Sequence, residues 1–350
     1  MSDSVDVAVH PFVTHPDELR EYMKEPWRSR TLPNPVNRGL YIPPFPQFPP
    51  EHLSPTGLPA SDPARVRAEL IDRREMSRIV LLPLGRGLLP DTRHEVAIAA
   101  ATNDWLAARW LDHGNADGRV KGSIRVCPRA PREAVREIER WAGHPHFVQV
   151  AVPLEAHQPY GVEVYFPIWD AAARHGLPVA VHSEGNSSGV ELAPTPVGFP
   201  THFTEVFAIT PSNGMFHLAS LICEGVFERL DGLRFVFADG GFDVCSTLLW
   251  RLDKDWKATR SEIPWTLRKP SDYLTDHVRF VLTRWDGPSE TGLKDLAGVW
   301  DGSDLLLYGS NFPYWDDLPV DQAADRIPAD WRSRVLGANA ADLYGFGRAD

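Results

Sequence analysis

The chain has 350 residues, of which 43% are hydrophobic and 24% charged, and its formal net charge is −11. These proportions are ordinary for a soluble globular protein and exclude a disordered or fibrous chain. Because no stretch concentrates Lys and Arg, we expect neither a nucleic-acid partner nor binding to an anionic membrane surface. The length permits one large α/β barrel with an insertion, or two ordinary domains.

The cysteines and the N-terminal residues indicate a cytoplasmic protein. Cys127, Cys223 and Cys245 lie far apart and lack the spacing of a metal-binding motif, so we expect reduced cysteines in the core. The first residues are acidic and no apolar run follows them. The apolar stretches fall short of the roughly 18 residues that span a bilayer, so the sequence predicts neither a signal peptide nor a transmembrane segment.

The first predicted element is a strand over residues 5–9, and His10 follows its last residue. The chain holds 32 prolines, and many of them crowd residues 11–62. Such a segment cannot hold much regular structure beyond one short helical piece near residues 16–27. We therefore predict a proline-rich arm or lid inserted after the first strand.

After the arm, helices and apolar strands alternate. Ser61 or Asp62 caps the first helix, with Pro63 at its first position. The predicted helices are 63–76, 92–112, 131–142, 166–175, 203–230, 241–257 and 290–299, with two more at the C-terminal end. The predicted strands after the first are 79–82, 122–126, 147–152, 178–182, 233–238, 278–282 and 305–308.

The strands are continuous apolar runs, which is typical of parallel strands buried on both faces. Eight β–α units predict a (β/α)₈ TIM barrel, an α/β fold, as a single domain over residues 1–350 with the arm at 11–62 within it. A doubly wound open sheet is the alternative. It is disfavoured because no glycine-rich phosphate-binding turn follows the first strand.

Polar side chains follow five of the predicted strands, whereas strands 2 to 4 end mostly in proline. The carboxyl ends of barrel strands meet at one mouth, so residues distant in sequence can share a site there. A single histidine after an apolar strand is more often structural, but His10 and His182 together with Asp239 and Asn311 favour a functional site. The polar and aromatic residues at these ends are His10, His182, Glu184, Asp239, Arg284, Trp285 and Asn311.

Several motifs resemble one branch of the amidohydrolase superfamily, which contains aminocarboxymuconate-semialdehyde decarboxylase and the resorcylate-type decarboxylases. The resemblance extends from about residue 6 to residue 345. It implies a TIM barrel and a hydrolase or decarboxylase activity, and it specifies the fold better than the substrate. The motifs are 217–229, 234–241, 250–254, 309–315 and 336–340.

The resemblance implies a metal site whose ligands are only partly present. In that family, histidine or acidic residues on strands 1, 5, 6 and 8 hold Zn²⁺ or a similar ion. His10 and His182 match two of these positions, and Asp239 stands where strand 6 has histidine or an acid. However, Ala8 replaces a usual ligand, and Asn311 stands where strand 8 has aspartate.

We therefore expect a divalent metal, Zn²⁺ or Mn²⁺, to bind weakly or not at all, through His10, His182 and Asn311. Asp6 shares the strand parity of Ala8 and His10 but lies one layer deeper, so we expect it to support the site rather than bind the ion. A full equivalent of metal would require a replacement ligand such as Glu184.

The first interpretation is a hydrolase or decarboxylase acting on a small carboxylate-bearing substrate, cyclic or aromatic, with little or no metal dependence. His182 or Asp239 would activate water, and His217 is a further catalytic candidate. The guanidinium of Arg284 would hold the substrate carboxylate, although a surface salt bridge explains it equally well. The candidates for substrate binding are Glu184, Trp285, Tyr314 and Trp315.

Two other interpretations stay open. The chain could be a catalytically silent subunit that pairs with a metal-competent paralogue, or a small-molecule binding protein that uses an old active-site pocket. The aromatic arm favours an oligomer, either of this chain or with a paralogue. An arm of this kind also serves as a lid over the barrel mouth.

Overall fold

The computed structural model describes residues 3–15, 17–30, 32, 48–55, 58–85, 88–184, 200–283, 290–297, 300 and 302–347. Its eight strands are parallel and lie in the order β1 to β8, which confirms the predicted (β/α)₈ TIM barrel. The strands are β1 Val5–Val9, β2 Arg78–Leu81, β3 Val120–Arg125, β4 Phe147–Pro153, β5 Val179–His182, β6 Phe235–Phe237, β7 Val278–Leu282 and β8 Leu306–Tyr308.

The helices begin where the sequence predicts. The carboxylate of Asp62 accepts a hydrogen bond from the backbone N–H of Ala64 at 2.9 Å and caps the first helix. The predicted helix over 203–230 is two helices, because Gly225 has a left-handed backbone (φ 69°). The α-helices are α1 Pro63–Arg67, α2 Thr92–Leu106, α3 Pro131–Trp141, α4 Phe166–Arg174, α5 Phe203–Cys223, α6 Val226–Arg229, α7 Phe242–Thr259, α8 Leu274–His277, α9 Glu290–Ala297, α10 Val320–Arg326 and α11 Asn339–Tyr344.

Three helices include π-helical segments, which lengthen α1 and α2 and precede α11. These segments are Ala68–Arg73, Ala107–Leu111 and Arg334–Ala338. With them, the first two helices end close to the predicted positions.

The two ends of the proline-rich arm pack on the barrel. The predicted short helical piece is a 3-10 helix, Glu18–Tyr22, and a second one covers Pro50–His52. The Oε1 atom of Glu18 accepts a hydrogen bond from the indole N–H of Trp105 on α2 at 3.1 Å. The Nδ1 atom of His52 lies 3.0 Å from the carbonyl oxygen of Pro313, just after β8. The middle of the arm, 33–47, lies outside the described residues.

Among the described residues, three apolar clusters are buried, and the two largest make up the core of the barrel. The larger lies between the strands and the surrounding helices and includes Trp169, Phe235 and Phe280. The smaller contains alternate strand residues such as Ala180 and Val236 and fills the barrel. His182 has the parity of Ala180, so the last side chain of β5 points into the barrel mouth.

Backbone hydrogen bonds close the barrel between β8 and β1. The N–H of Asn311 donates to the carbonyl oxygen of Ala8 at 3.1 Å, and the N–H of His10 donates to that of Phe312 at 2.8 Å. This closure places the residues that follow β8 directly beside His10.

Helix α5 overturns the expectation that no segment is long and apolar enough to span a membrane. Among the described residues, this one helix has the required length and hydropathy. It packs as a helix of the outer ring, with Leu218 and Leu221 completely buried against the barrel. A core helix can have the same length and composition, so these two properties alone are weak evidence for a membrane span. Cys127 and Cys245 are buried, and no cysteine forms a disulfide.

Candidate functional site at the barrel mouth

His10 is completely buried at the end of β1, and both of its ring nitrogens face polar atoms. Its Nδ1 lies 2.9 Å from the carbonyl oxygen of Leu82, and its Nε2 lies 3.0 Å from Oδ1 of Asn311. Both partner atoms are oxygens that can only accept, so a neutral ring donates to one of them at a time, to Leu82 or to Asn311 according to its tautomer. Burial, and then the neighbouring His182, lower the pKa of His10 to about 3, so the ring is neutral near pH 7.

Asn311 presents its amide oxygen to this neutral ring. Its Nδ2 donates to Oδ1 of Asp316 at 2.7 Å, which fixes the orientation of the amide and directs Oδ1 towards His10. The residue has a left-handed backbone (φ 64°), a conformation that asparagine tolerates better than most residues. Oδ1 therefore accepts a hydrogen bond from His10 in the tautomer with a proton on Nε2, and in the other tautomer the two lone pairs face each other at 3.0 Å.

His182 completes a pair of buried imidazoles. Its ring centroid lies 4.8 Å from that of His10, with 65° between the ring planes. Its Nδ1 lies 2.7 Å from the carbonyl oxygen of Ser183, so Nδ1 is the protonated nitrogen. Asp239 is buried after β6, and its charge favours the protonated form of His10. The structure therefore brings together four predicted site residues: His10, His182, Asp239 and Asn311.

In the tautomer of His10 that is protonated on Nδ1, the lone pairs of its Nε2 and of Asn311 Oδ1 fit a cation. Two neighbouring ligands, each about 2.1 Å from an ion and about 90° apart, are separated by about 3.0 Å, the spacing that is observed. The charge fits less well, because the His10 imidazole and the amide are neutral, and Asp239 is the one carboxyl group among these four residues. In the described part of the chain, no three His, Cys, Asp or Glu side chains form a group that could hold a metal ion.

Asp6 supports the site through the backbone. Its Oδ1 accepts hydrogen bonds from the N–H groups of Ala8 (3.1 Å) and Ser310 (3.0 Å) and so joins β1 to the residues after β8. Burial outweighs these hydrogen bonds and raises the pKa of Asp6. The interior is close-packed here, since a methyl group at Gly309 would lie 2.7 Å from Cβ of Ala8.

Arg125, which the sequence analysis missed, is buried at the end of β3. Its guanidinium forms a two-pronged ion pair with Glu184, a predicted substrate-binding residue that is also buried. A side chain at Gly85 would collide with this guanidinium, at 2.2 Å from Nε. Glu184 is therefore engaged by Arg125, and this engagement disfavours its use as a replacement metal ligand.

Glu155, also missed, lies two residues after β4 and is buried. Its Oε2 accepts from the N–H of Glu184 at 2.9 Å, and its Oε1 accepts from the hydroxyl of Ser183 at 3.1 Å. Burial is the largest cause that raises its pKa, to about 7, and the charge of Glu184 adds to it. Glu155 is thus a carboxyl group that can exchange a proton near neutral pH.

His217 has a structural environment. Its Nδ1 accepts from the backbone N–H of Tyr160 at 3.1 Å, and its Nε2 donates to the carbonyl oxygen of Leu154 at 2.7 Å. The ring stacks on Tyr160 with centroids 4.2 Å apart, and burial lowers its pKa to about 4. Because both nitrogens hold the backbone, we assign His217 no chemical step.

The remaining candidates lie at the rim or outside the described residues. Tyr314 is half-buried, and its ring centroid lies 5.6 Å from that of His10. The side chain of Trp315 is exposed. Arg284 and Trp285 lie outside the described residues, so their predicted roles stay predictions.

A protein-family comparison identifies the class. The amidohydrolase family model matches residues 48–346, and the chain belongs to this family. No curated protein matches the chain at a significant level.

Solved structures share the fold along the whole chain. An amidohydrolase from Mycobacterium avium subsp. paratuberculosis is 20% identical, covers 99% of this chain and 98% of its own, and has a TM-score of 0.74. The 5-carboxyvanillate decarboxylase from Sphingomonas paucimobilis is 20% identical, covers 98% of this chain and 99% of its own, and has a TM-score of 0.70. The dihydroxybenzoic acid decarboxylase from Polaromonas sp. JS666 was solved with bound manganese and the inhibitor 2-nitroresorcinol. It is 18% identical, covers 100% of this chain and 98% of its own, and has a TM-score of 0.67.

The raised pKa of Glu155 predicts a pH-dependent stability. The carboxyl group keeps its proton in the folded state up to about pH 7, whereas its ordinary pKa is 4.5. The free energy of unfolding therefore falls as the pH rises through this interval, by about 2 to 3 kcal/mol between pH 5 and pH 8. In Glu155→Gln this contribution disappears. Urea unfolding of both proteins at the two pH values measures it, and parallel pH profiles would contradict the assignment.

Proposed function

We propose that this chain is an enzyme that decarboxylates or hydrolyses a small carboxylate-bearing substrate, cyclic or aromatic, with weak or no metal dependence. The observation that carries the proposal is the pair of buried imidazoles, His10 and His182, which meet at the barrel mouth beside Asp239. The structurally similar decarboxylases of carboxyvanillate and dihydroxybenzoic acid support an aromatic carboxylate as the substrate.

Both reactions require a proton to move at the mouth. In decarboxylation, the ring carbon that bears the carboxylate takes a proton, and the electrons of the broken C–C bond return to the ring as CO₂ leaves. In hydrolysis, a base takes a proton from water as the water oxygen adds to a carbonyl carbon. The bond from that carbon to the leaving oxygen or nitrogen then breaks, and the leaving atom takes the proton. We assign the proton to Asp239 and His182, because His10 is neutral and its two ring nitrogens are engaged by Leu82 and Asn311. Either group accepts the proton from water in hydrolysis, and either one, in its protonated form, donates the proton to the ring carbon in decarboxylation.

The same residues would hold a divalent cation weakly. His10 Nε2 and Asn311 Oδ1 have the spacing of two neighbouring ligands, and His182 and Asp239 would add to the set. When bound, such an ion polarises a carboxylate or carbonyl oxygen of the substrate. The single carboxyl group in this set is the reason why we expect low affinity.

We expect His182→Ala and Asp239→Asn each to reduce turnover by at least about a hundredfold, the size of a general acid–base contribution. The assay measures CO₂ release from 2,6-dihydroxybenzoate and 5-carboxyvanillate, and ring opening of an aromatic lactone. Trp250→Ala is the matched control, because this tryptophan is exposed on the outer helix α7 and belongs to no candidate site. Wild-type rates in both site variants would contradict the proposal.

Metal content tests the weak cation site separately. Protein purified without chelator should contain well below one equivalent of Zn²⁺ or Mn²⁺ per chain by elemental analysis. In Asn311→Asp, the added charge faces His10, and we expect Mn²⁺ to bind at least about tenfold more tightly in calorimetry. A full equivalent of metal in the wild-type protein, or no gain in Asn311→Asp, would contradict this account of the charges.

The neutral residues Ala8 and Asn311 also favour a second candidate, a catalytically silent subunit that pairs with a metal-competent paralogue. The absence of turnover across the substrate panel, together with a stable mixed complex on co-expression with a paralogue, would support this candidate over the enzyme.

A further inference from the structure

One peptide unit connects Glu155 to His182. The peptide bond between Ser183 and Glu184 has its carbonyl oxygen 2.7 Å from Nδ1 of His182. The N–H of the same peptide donates to Oε2 of Glu155 at 2.9 Å. The carboxylate and the imidazole therefore hold opposite ends of one peptide group.

This connection is stiff because a peptide group is planar. In a trans peptide the C=O and N–H point in opposite directions, so fixing the N–H also fixes the direction of the carbonyl. If the peptide rotated, it would lose both hydrogen bonds together. The position of the Glu155 carboxylate consequently determines where the acceptor for His182 Nδ1 lies.

Three neighbouring contacts hold the arrangement in place. The hydroxyl of Ser183 donates to the second oxygen of Glu155 at 3.1 Å. The side chain of Glu184 is locked by the guanidinium of Arg125, and both of these groups are buried. Gly85 leaves the space that this guanidinium occupies. The turn after His182 is thus held at its backbone and at both side chains.

We propose that Glu155 is a positioning residue for His182, which it orients through the Ser183–Glu184 peptide. With the carbonyl of Ser183 fixed, the proton of His182 stays on Nδ1, and Nε2 carries the lone pair that can accept a proton or bind a cation. Above about pH 7, where Glu155 is ionised, its negative charge also polarises the peptide, which strengthens the acceptor for Nδ1–H. This proposal rests on the proposed function only for the proton transfer that is assigned to His182.

The test is the tautomer of His182, observed by NMR at about pH 8.5, where Glu155 is ionised, in protein labelled with ¹⁵N-histidine. The signal is assigned by its loss in His182→Asn. In the wild-type protein we expect an Nδ1-protonated ring with a downfield Hδ1 proton. In Glu155→Leu the peptide N–H loses its acceptor, and we expect a mixture of tautomers or loss of the downfield proton.

Two further variants separate this role from a general effect on folding. In Glu155→Gln the side-chain amide oxygen can still accept from the peptide, so we expect the same tautomer with Hδ1 shifted upfield because the charge is lost. Glu95→Gln is the matched control: Glu95 is a buried carboxylate paired with Arg129, and its replacement should leave the His182 signal unchanged.

An unchanged His182 signal in Glu155→Gln would overturn the proposal, whether or not Glu155→Leu folds. An equal shift in Glu95→Gln would also overturn it, because the effect would then belong to any buried carboxylate. No turnover is measured, so a failure of the proposed enzymatic function leaves this test unaffected.

Discussion

The closure of the barrel between β8 and β1 is the constraint on which the site depends. Backbone hydrogen bonds of Ala8 and His10 set the register of the chain after β8, and the buried carboxylate of Asp6 fastens the same junction. This register brings the amide of Asn311 to 3.0 Å from the ring of His10. Without the closure, residues about 300 positions apart in sequence would not meet.

The site that results is poor in charge. Burial and the proximity of His182 keep His10 neutral, and Asn311 contributes an amide oxygen where the family resemblance implies an aspartate. The geometry suits a cation, but the charge does not attract one strongly. This combination explains why we assign proton transfer to Asp239 and His182 and give a metal ion a minor part.

The sequence predicts the barrel and the four residues that meet at its mouth, but not the buried charged residues behind them. Continuous apolar strands and capped helices are local patterns, and the rule that polar residues gather at strand ends identified His10, His182, Asp239 and Asn311. Arg125 and Glu155 do not stand out in the sequence, because prolines mark the ends of strands 3 and 4 and draw attention away from the charged residues next to them. A charged residue within a buried strand, such as Arg125, is the signal that could have revealed the first. The environment of His217 depends on contacts with Tyr160 and Leu154 from another part of the chain, which no local pattern contains.

The most direct test of the central claim is an anomalous-scattering map from crystals of this protein soaked in Mn²⁺, compared with crystals that were not soaked. Without soaking, we expect no anomalous peak from a metal ion at the barrel mouth. After soaking at high concentration, we expect a partly occupied peak within about 2.3 Å of both His10 Nε2 and Asn311 Oδ1. A fully occupied peak in the unsoaked crystals, or a soaked peak that avoids Asn311, would contradict this account.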